Sequence, residues 1–465
     1  MLQYCGKHES ILKSNETKAG SLLMQALGLT IPRMSWLLRA APALVLLAIS
    51  WRAITSGIFP KEKVPYGGQV HPAFQEVKEI FEKNVQSGRE PGASFAVYRH
   101  GKPLVDLWGG YADVESKKPW QQGTLSQLWS STKGVAAVVV GMLADRGFID
   151  YQRKVSDYWP EFAANGKEDV TVAMLLSHQA GLMHLSRGLT LYDYRDQWEL
   201  VEELMAKQEP MWLPGTRFSY HAFTYGMYVD ALVRKVDPLH RNISQFFKEE
   251  VADPFDLDLH IGLPFNQFYR STRAEYVSLL SIFISKFALQ PGLWKWLPDV
   301  FFGGFLAKSL EVFDFMNNMY VMNDAELRSI GLASAVGFGN ARSLAKLYDF
   351  LSNNGTVQGK RLLSKDHVKS LSTPVTEKIE VIAFPDRPFA MGTIVDNNPL
   401  GQTIFGHRGY GGQNGYADPT HGVGVSYVTN FNSIYSDCDD PRATDLLQAL
   451  YRCLQRYQQL PEDEK

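Results

Sequence analysis

The chain has 465 residues, 45% of them hydrophobic and 12% aromatic, which is enough apolar material for a sizeable core and too much for a disordered chain. Forty-seven basic residues stand against 49 acidic ones, a formal charge of −2, so neither a net field nor a local basic cluster draws in nucleic acid. Three cysteines exclude a disulfide scaffold, although Cys438 and Cys453 are placed so that they could pair; no close Cys pair or His-Glu-x-x-His run offers a zinc site.

From Ala40 to Trp51 runs AAPALVLLAISW, flanked by Arg39 and Arg52. That is short of the about 20 apolar residues of a membrane-spanning helix, but it matches a signal-peptide core. Read from Met34, MSWLLRAAPALVLLAIS resembles a signal sequence or signal anchor, so Met34 is an alternative start. A mitochondrial presequence and a membrane-associated helix are competing readings; Glu9 and Glu16 count against the presequence. Residues 1–52 are therefore read as a targeting or membrane-associated segment. Residues 36–58 are the stretch expected to meet a membrane, and the secretory pathway is the favoured compartment over the mitochondrion. Residues 53–67, rich in Gly, Pro and Lys, read as a linker. One domain is expected over 68–458, with a tail at 459–465.

Within the domain, Phe74, Val77, Phe81 and Val85 recur with a helical period. Pro91-Gly92 ends that helix. Ala93, Phe95 and Val97 then alternate, His100-Gly101-Lys102-Pro103 turns, and Val105 and Leu107 alternate again, predicting a hairpin. Val135–Arg146 predicts a long apolar helix. Residues 150–350 are mainly helical in pattern, with runs near 196–208, 223–235, 272–288 and 341–351. Strand signals return at Phe389–Val395, Thr403–Gly406 and Gly422–Asn430, and Pro441 opens a closing helix with Leu446, Leu447, Leu450 and Cys453 on one stripe. The expected architecture is α+β: one antiparallel sheet assembled from both chain ends, flanked by helices, with a mainly helical lobe inserted and a cleft between lobes.

Three Ser-x-x-Lys tetrads occur, at Ser10–Lys13, Ser130–Lys133 and Ser343–Lys346. The first falls in the targeting segment. The third lies in an amphipathic helix, where its Ser and Lys are expected to face solvent or cap. Ser130 instead precedes an almost wholly apolar helix, whose first turn brings Lys133 to the same face as the serine hydroxyl. The helix N-terminus favours a developing anion, and apolar surroundings push a lysine towards its neutral, basic form. A capping serine followed by a snorkelling lysine is the bland alternative, and the tetrad by itself does not decide between them. Tyr220, in WLPGTRFSY, follows a turn and precedes a helix; near a lysine it could relay protons, or it could be one of 21 tyrosines serving the core. In Gly406-His407-Arg408-Gly409-Tyr410-Gly411-Gly412, His407 could donate to a substrate carbonyl or carboxylate. Gly409 would let a ligand lie close to the backbone, and the Tyr410 N–H could join that of Ser130 in an oxyanion hole. His260–Gly262 reads as a loop.

In order and spacing these elements resemble the serine β-lactamase and penicillin-binding-protein superfamily, and most closely its class C-like esterase branch and the animal β-lactamase-like proteins. LLSHQAGL at Leu175–Leu182, NARSLAKLYDFLSNNG at Asn340–Gly355 and GHRGYGGQNGYADP at Gly406–Pro419 share the likeness, which covers roughly residues 68–458. The resemblance implies a β-lactamase/transpeptidase-like fold with Ser130 as nucleophile, Lys133 as proton acceptor and Tyr220 as second acid/base. His407 and Gly409 would flank the site, and no metal or organic cofactor is implied. Two departures, His221-Ala222 where Asn often ends the tyrosine motif and His407 where penicillin-recognising members carry Lys, point to an esterase-type relative. The expected function is hydrolysis of a small-molecule ester or amide through an acyl-serine. A peptidase or transpeptidase-like activity and a catalytically silent scaffold are the alternatives.

Overall fold

The computed structural model describes residues 63–276, 304, 308–309, 311–314, 319–377, 380–381, 387–432, 440–461 and 464. Cys5, Met34, residues 36–58, Cys438 and most of the helical run expected over 272–288 lie outside the described residues. Val64–Lys465 is one compact unit.

The main sheet is built from β1 (Tyr66–Val70), β2 (Gly92–Arg99), β3 (Lys102–Asp113), β4 (Ile394–Asn397), β5 (Thr403–Arg408), β6 (Asn414–Asp418) and β7 (Val423–Thr429). Its spatial order is β1-β3-β2-β7-β6-β5-β4, antiparallel at every pairing. The two chain ends meet at β2 and β7, where Val97 lies opposite Val425 and Phe95 opposite Tyr427. Tyr66 and Gly67, read as the end of a linker, already pair in this sheet. The β2–β3 hairpin turns at His100 and Gly101, whose φ values of 50° and 79° suit a type I′ turn. The Asp349 carboxylate accepts from both turn N–H groups, at 3.0 and 2.6 Å.

Helices cover both faces. On one, α1 (Gln75–Gln86) and the helix at Pro441–Gln458 pack Val77, Phe81, Leu446, Leu450 and Cys453 against Phe95, Val97, Val425 and Tyr427. Cys453 is a buried free thiol. On the other face lie α2 (Ser131–Asp145), α3 (Thr224–Val236) and α4 (Ala341–Ser352), which join Ala96, Phe405, Ala417 and Val428 in the second core. The closing helix is α5 (Pro441–Gln458). Every residue of α2 from Ser131 to Ala144 is buried, as expected of a helix that is apolar all round.

Several local expectations are corrected. β2 is buried along both faces rather than alternately exposed, because helices cover the sheet on each side. Asn414–Asp418 carries no strand signal, yet β6 is a central strand. Gly415 is there because α4 lies so close that a Cβ would meet Tyr348 and Leu344 side chains at 2.6 and 2.8 Å. Of Phe389–Val395 only Ile394 and Val395 belong to β4. His260, read with Gly262 as a loop, lies in a short strand, Leu259–Ile261, that pairs with Gly337–Gly339. Among the described residues no helix is long and apolar enough to cross a membrane.

Candidate active site

The short strand Ser126–Gln127 pairs with Gly337–Gly339, and the Leu128 N–H donates to Gly337 O at 2.8 Å. Trp129 then takes a φ of +49°, a left-handed conformation rare for a bulky residue and typical of functional turns. Thr132 holds it there, its N–H and hydroxyl both donating to Trp129 O at 3.0 and 2.6 Å. Ser130 follows at the N-cap of α2, but its hydroxyl makes no capping bond to the helix backbone. Nor does Lys133 snorkel: it is wholly buried, with Nζ 3.2 Å from Ser130 Oγ. The bland reading of the tetrad fails on both residues.

Lys133 Nζ donates to Ala222 O at 2.8 Å and to Ser334 O at 2.9 Å. Burial holds the amine well below the usual lysine range. A neutral amine has two N–H groups and one lone pair. In the neutral form that burial favours, the two carbonyls take both N–H groups and the lone pair is left for Ser130 Oγ; in the charged form the third N–H donates there, at 3.2 Å. The Ser334 carbonyl is itself fixed, since Ser334 Oγ accepts from the Gly226 N–H at 2.6 Å and donates to Phe223 O.

Tyr220 sits between the short strand Arg217–Phe218 and α3. Its ring centroid lies 4.7 Å from Lys133 Nζ, 5.0 Å from the His178 ring and 6.0 Å from the His407 ring, and it stacks on Phe389. The next residue is structural. The His221 N–H donates to His178 Nδ1 at 3.1 Å, its Nδ1–H donates to Ser219 O at 2.6 Å, and its Nε2 accepts from the Leu182 N–H at 2.8 Å. Burial brings the His221 pKa down to about 4, so the ring is neutral at pH 7. Ala222, where Asn often ends this motif, has no side-chain amide and contributes its backbone carbonyl to Lys133. His178, with burial holding it well below the usual histidine range, supports Tyr220 from LLSHQAGL. Periodicity does not mark it; its only sequence signal was the family-like stretch around it.

The end of β5 closes the site. Ser131 Oγ donates to His407 O at 3.1 Å, and His407 Nδ1–H donates to Arg408 O at 2.7 Å. Burial brings the His407 pKa down to about 3. With the proton on Nδ1, the buried Nε2 is a bare acceptor and has no hydrogen-bond partner among the described residues. This corrects the expectation that His407 donates to substrate. Gly409 packs on the serine turn: a Cβ there would meet Leu128 O at 2.3 Å and Ser131 N at 3.1 Å. Tyr410 lies edge-on to Trp129, ring centroids 5.3 Å apart. Gly409→Ala is expected to displace the Ser130 turn and lower kcat/KM for ester hydrolysis by on the order of 10²-fold. The melting temperature should move by only a few degrees, and a steady-state assay beside a thermal melt reads both.

The other described tetrad is elsewhere. Ser343 is buried, not solvent-facing, because its hydroxyl accepts from the Asp258 N–H at 2.9 Å; Lys346 pairs with Asp256 at 3.2 Å. No group of His, Cys, Asp or Glu is gathered in metal-binding fashion among the described residues.

Known proteins are similar to this chain in sequence and fold. The family model described as Beta-lactamase matches residues 77–449. The protein "Esterase/beta-lactamase LipL" of Mycobacterium tuberculosis is 34% identical over 396 residues, which is 82% of this chain and 87% of LipL. Among solved structures, a family VIII carboxylesterase superposes with a TM-score of 0.72 at 35% identity, over 84% of this chain and 100% of its own. A penicillin-binding protein homologue from Caulobacter crescentus gives 0.70 at 30%, over the same shares. With the family match covering residues 77–449 and LipL alike over most of both chains, the chain belongs to the beta-lactamase family.

Proposed function

We propose that this serine hydrolase cleaves small carboxylic esters through an acyl-Ser130 intermediate. The observation that carries the reading is the buried Lys133 amine, held by Ala222 O and Ser334 O with its Nζ 3.2 Å from Ser130 Oγ, where burial favours the neutral, base-competent form. As Oγ attacks the ester carbon, Lys133 takes its proton. The N–H groups of Ser130, at the α2 N-terminus, and of Tyr410, in the turn after β5, receive the oxyanion. Tyr220 relays the proton to the departing alkoxide, and the alcohol leaves. Water then attacks the acyl carbon, its proton returns through the same groups, and the acid is released. The names of LipL and of the family VIII carboxylesterase support an ester as the substrate.

Labelling with a fluorophosphonate followed by mass mapping tests the nucleophile; an adduct elsewhere, or equal labelling of Ser130→Ala, would refute it. Tyr220→Phe keeps the ring packing and removes the hydroxyl. It is expected to lower kcat by roughly 10²–10⁴-fold with little change in KM.

His407 is neutral at pH 7 and offers an acceptor, so it gives no charge to a carboxylate-bearing β-lactam. Hydrolysis of an uncharged ester is therefore expected to outpace that of nitrocefin, and a side-by-side assay showing the reverse would favour the lactamase reading. Residues 36–58 are proposed to hold the protein at a membrane of the secretory pathway, on the strength of the apolar run Ala40–Trp51. Recovery of the full chain in the soluble fraction, matching a variant lacking residues 1–58, would overturn that placement.

A further inference from the structure

The loop that carries Tyr220 is bonded, on both sides of the tyrosine, to one residue of another segment. The Ser219 N–H donates to His178 O at 3.2 Å, and the His221 N–H donates to His178 Nδ1 at 3.1 Å. His178 thus grips the residues immediately before and after Tyr220, one with its main chain and the other with its ring. That ring packs on the phenol, centroids 5.0 Å apart, and meets Phe389 edge-on at 4.5 Å. Phe389 in turn stacks on Tyr220 at 6.2 Å, so the three rings form one cluster. The backbone at His178 is unusual. It follows the short helix Val172–Leu176 with a φ of +64°. The His178 N–H donates to Leu175 O at 3.4 Å and the Gln179 N–H to Met174 O at 2.8 Å. These are the paired return bonds of a helix stop whose left-handed position ordinarily falls to glycine or asparagine. Glycine would relieve the backbone but offers no acceptor to the His221 N–H. His178 is 1% exposed, and burial keeps the ring neutral at pH 7, the form in which Nδ1 accepts and the proton sits on Nε2.

We propose that His178 is a positioning residue for the acid/base step: by fixing the N–H groups that flank Tyr220 and packing on its ring, it sets where the phenol hydroxyl stands relative to the departing alkoxide. The inference rests on the role given to Tyr220 above. A displaced phenol delivers its proton poorly, which matters most for a leaving group that cannot depart as an anion. Attack by Ser130 with Lys133 as base does not pass through His178.

The test compares His178→Gly with His178→Asn in the full chain. Both residues suit the left-handed backbone, but only asparagine places an acceptor, Oδ1, where Nδ1 stood. With ethyl butyrate, His178→Gly should lower kcat by on the order of 10²-fold with KM nearly unaltered, and His178→Asn should recover most of that loss. With p-nitrophenyl butyrate, whose leaving group departs as an anion, the loss in His178→Gly should be about tenfold smaller. In a Tyr220→Phe background His178→Gly should cost nothing further, because the hydroxyl it positions is gone. Fluorophosphonate labelling of Ser130, which expels fluoride and needs no proton from Tyr220, should persist in both variants. Equal losses in the two variants, equal losses on the two esters, or an additive loss with Tyr220→Phe would each overturn the proposal. So would loss of Ser130 labelling in His178→Gly, since His178 would then hold the fold at large. Failure of the wild type itself to label at Ser130 would refute the nucleophile and this proposal with it, an outcome separate from those above.

Discussion

Lys133→Met is expected to lower kcat for ester hydrolysis by on the order of 10³–10⁶-fold, and Ser130→Ala by a similar factor. The double variant should be little worse than either single one, because nucleophile and base act as one unit. The same substitution has a separate signature in stability. Burial lowers the Lys133 pKa in the folded protein, whereas the unfolded chain titrates near the ordinary value of about 10.4. Between those two values the unfolded state binds one more proton than the folded one, so stability rises with pH across the window, by about 1.4 kcal/mol per unit. Lys133→Met removes this group, so urea titrations at pH 7 and pH 9 should show the wild type gaining on the variant at the higher pH. A constant difference between the two proteins would mean that Lys133 is charged in the fold, and the base assignment would fall with it.

Arg442→Met is expected to destabilise the protein by about 3–5 kcal/mol, the effect of breaking a buried ion pair from one side. Arg442 is 3% exposed; its Nη1 donates to Glu90 Oε1 at 3.2 Å and its Nη2 to Asp440 Oδ2 at 2.6 Å. Without it Glu90 loses its buried counter-charge and keeps only the hydroxyl donors of Tyr427 and Thr429. Burial already pushes the Glu90 carboxyl above its usual range, with Arg442 opposing that shift, so the variant carries it higher still. A group with a raised folded pKa binds more protons folded than unfolded, and the stability it supports is lost as pH rises through that pKa. The loss in Arg442→Met should therefore be smaller at pH 5 than at pH 8 in denaturant titrations; the opposite trend would exclude Glu90 as the stranded group. Arg442 Nη2 also donates to Gly411 O at 3.2 Å, so the loop after Tyr410 should loosen and kcat should fall beyond what the melting temperature explains.

Elements that bury one stripe were legible in the chain: the period of Phe74, Val77, Phe81 and Val85 and the alternation of Phe95 and Val97 both name real core positions. β6 was not, because Gly415 admits α4 instead of breaking a strand, and glycine looks the same in either role. At the site, the apolar run after Ser130 forecast the buried lysine. The tetrad itself is repeated three times in the sequence and could not be told apart by spacing. Burial of Lys133 and the non-capping Ser130 hydroxyl separate it, and both are three-dimensional facts. The holders of Lys133 are backbone carbonyls of Ala222 and Ser334, which no side-chain pattern announces. The His407 tautomer is likewise set by a main-chain oxygen, that of Arg408, and so was expected the wrong way round.

The meeting of β2 with β7 has a consequence for synthesis. A ribosome delivers the β2–β3 hairpin and the apolar Val135–Val140 early, but the strand that completes the sheet beside β2, with Val425 opposite Val97, emerges near the end. Until then β2 offers an open edge and α2 an uncovered apolar surface, the features that make growing chains stick to one another. Pairings so distant in sequence also form slowly. The Ser131–His407 bond that closes the serine turn waits on the same late residues. Chains released early should be both inert and dependent on chaperones, and hydrolytic competence should arrive only with the final strands.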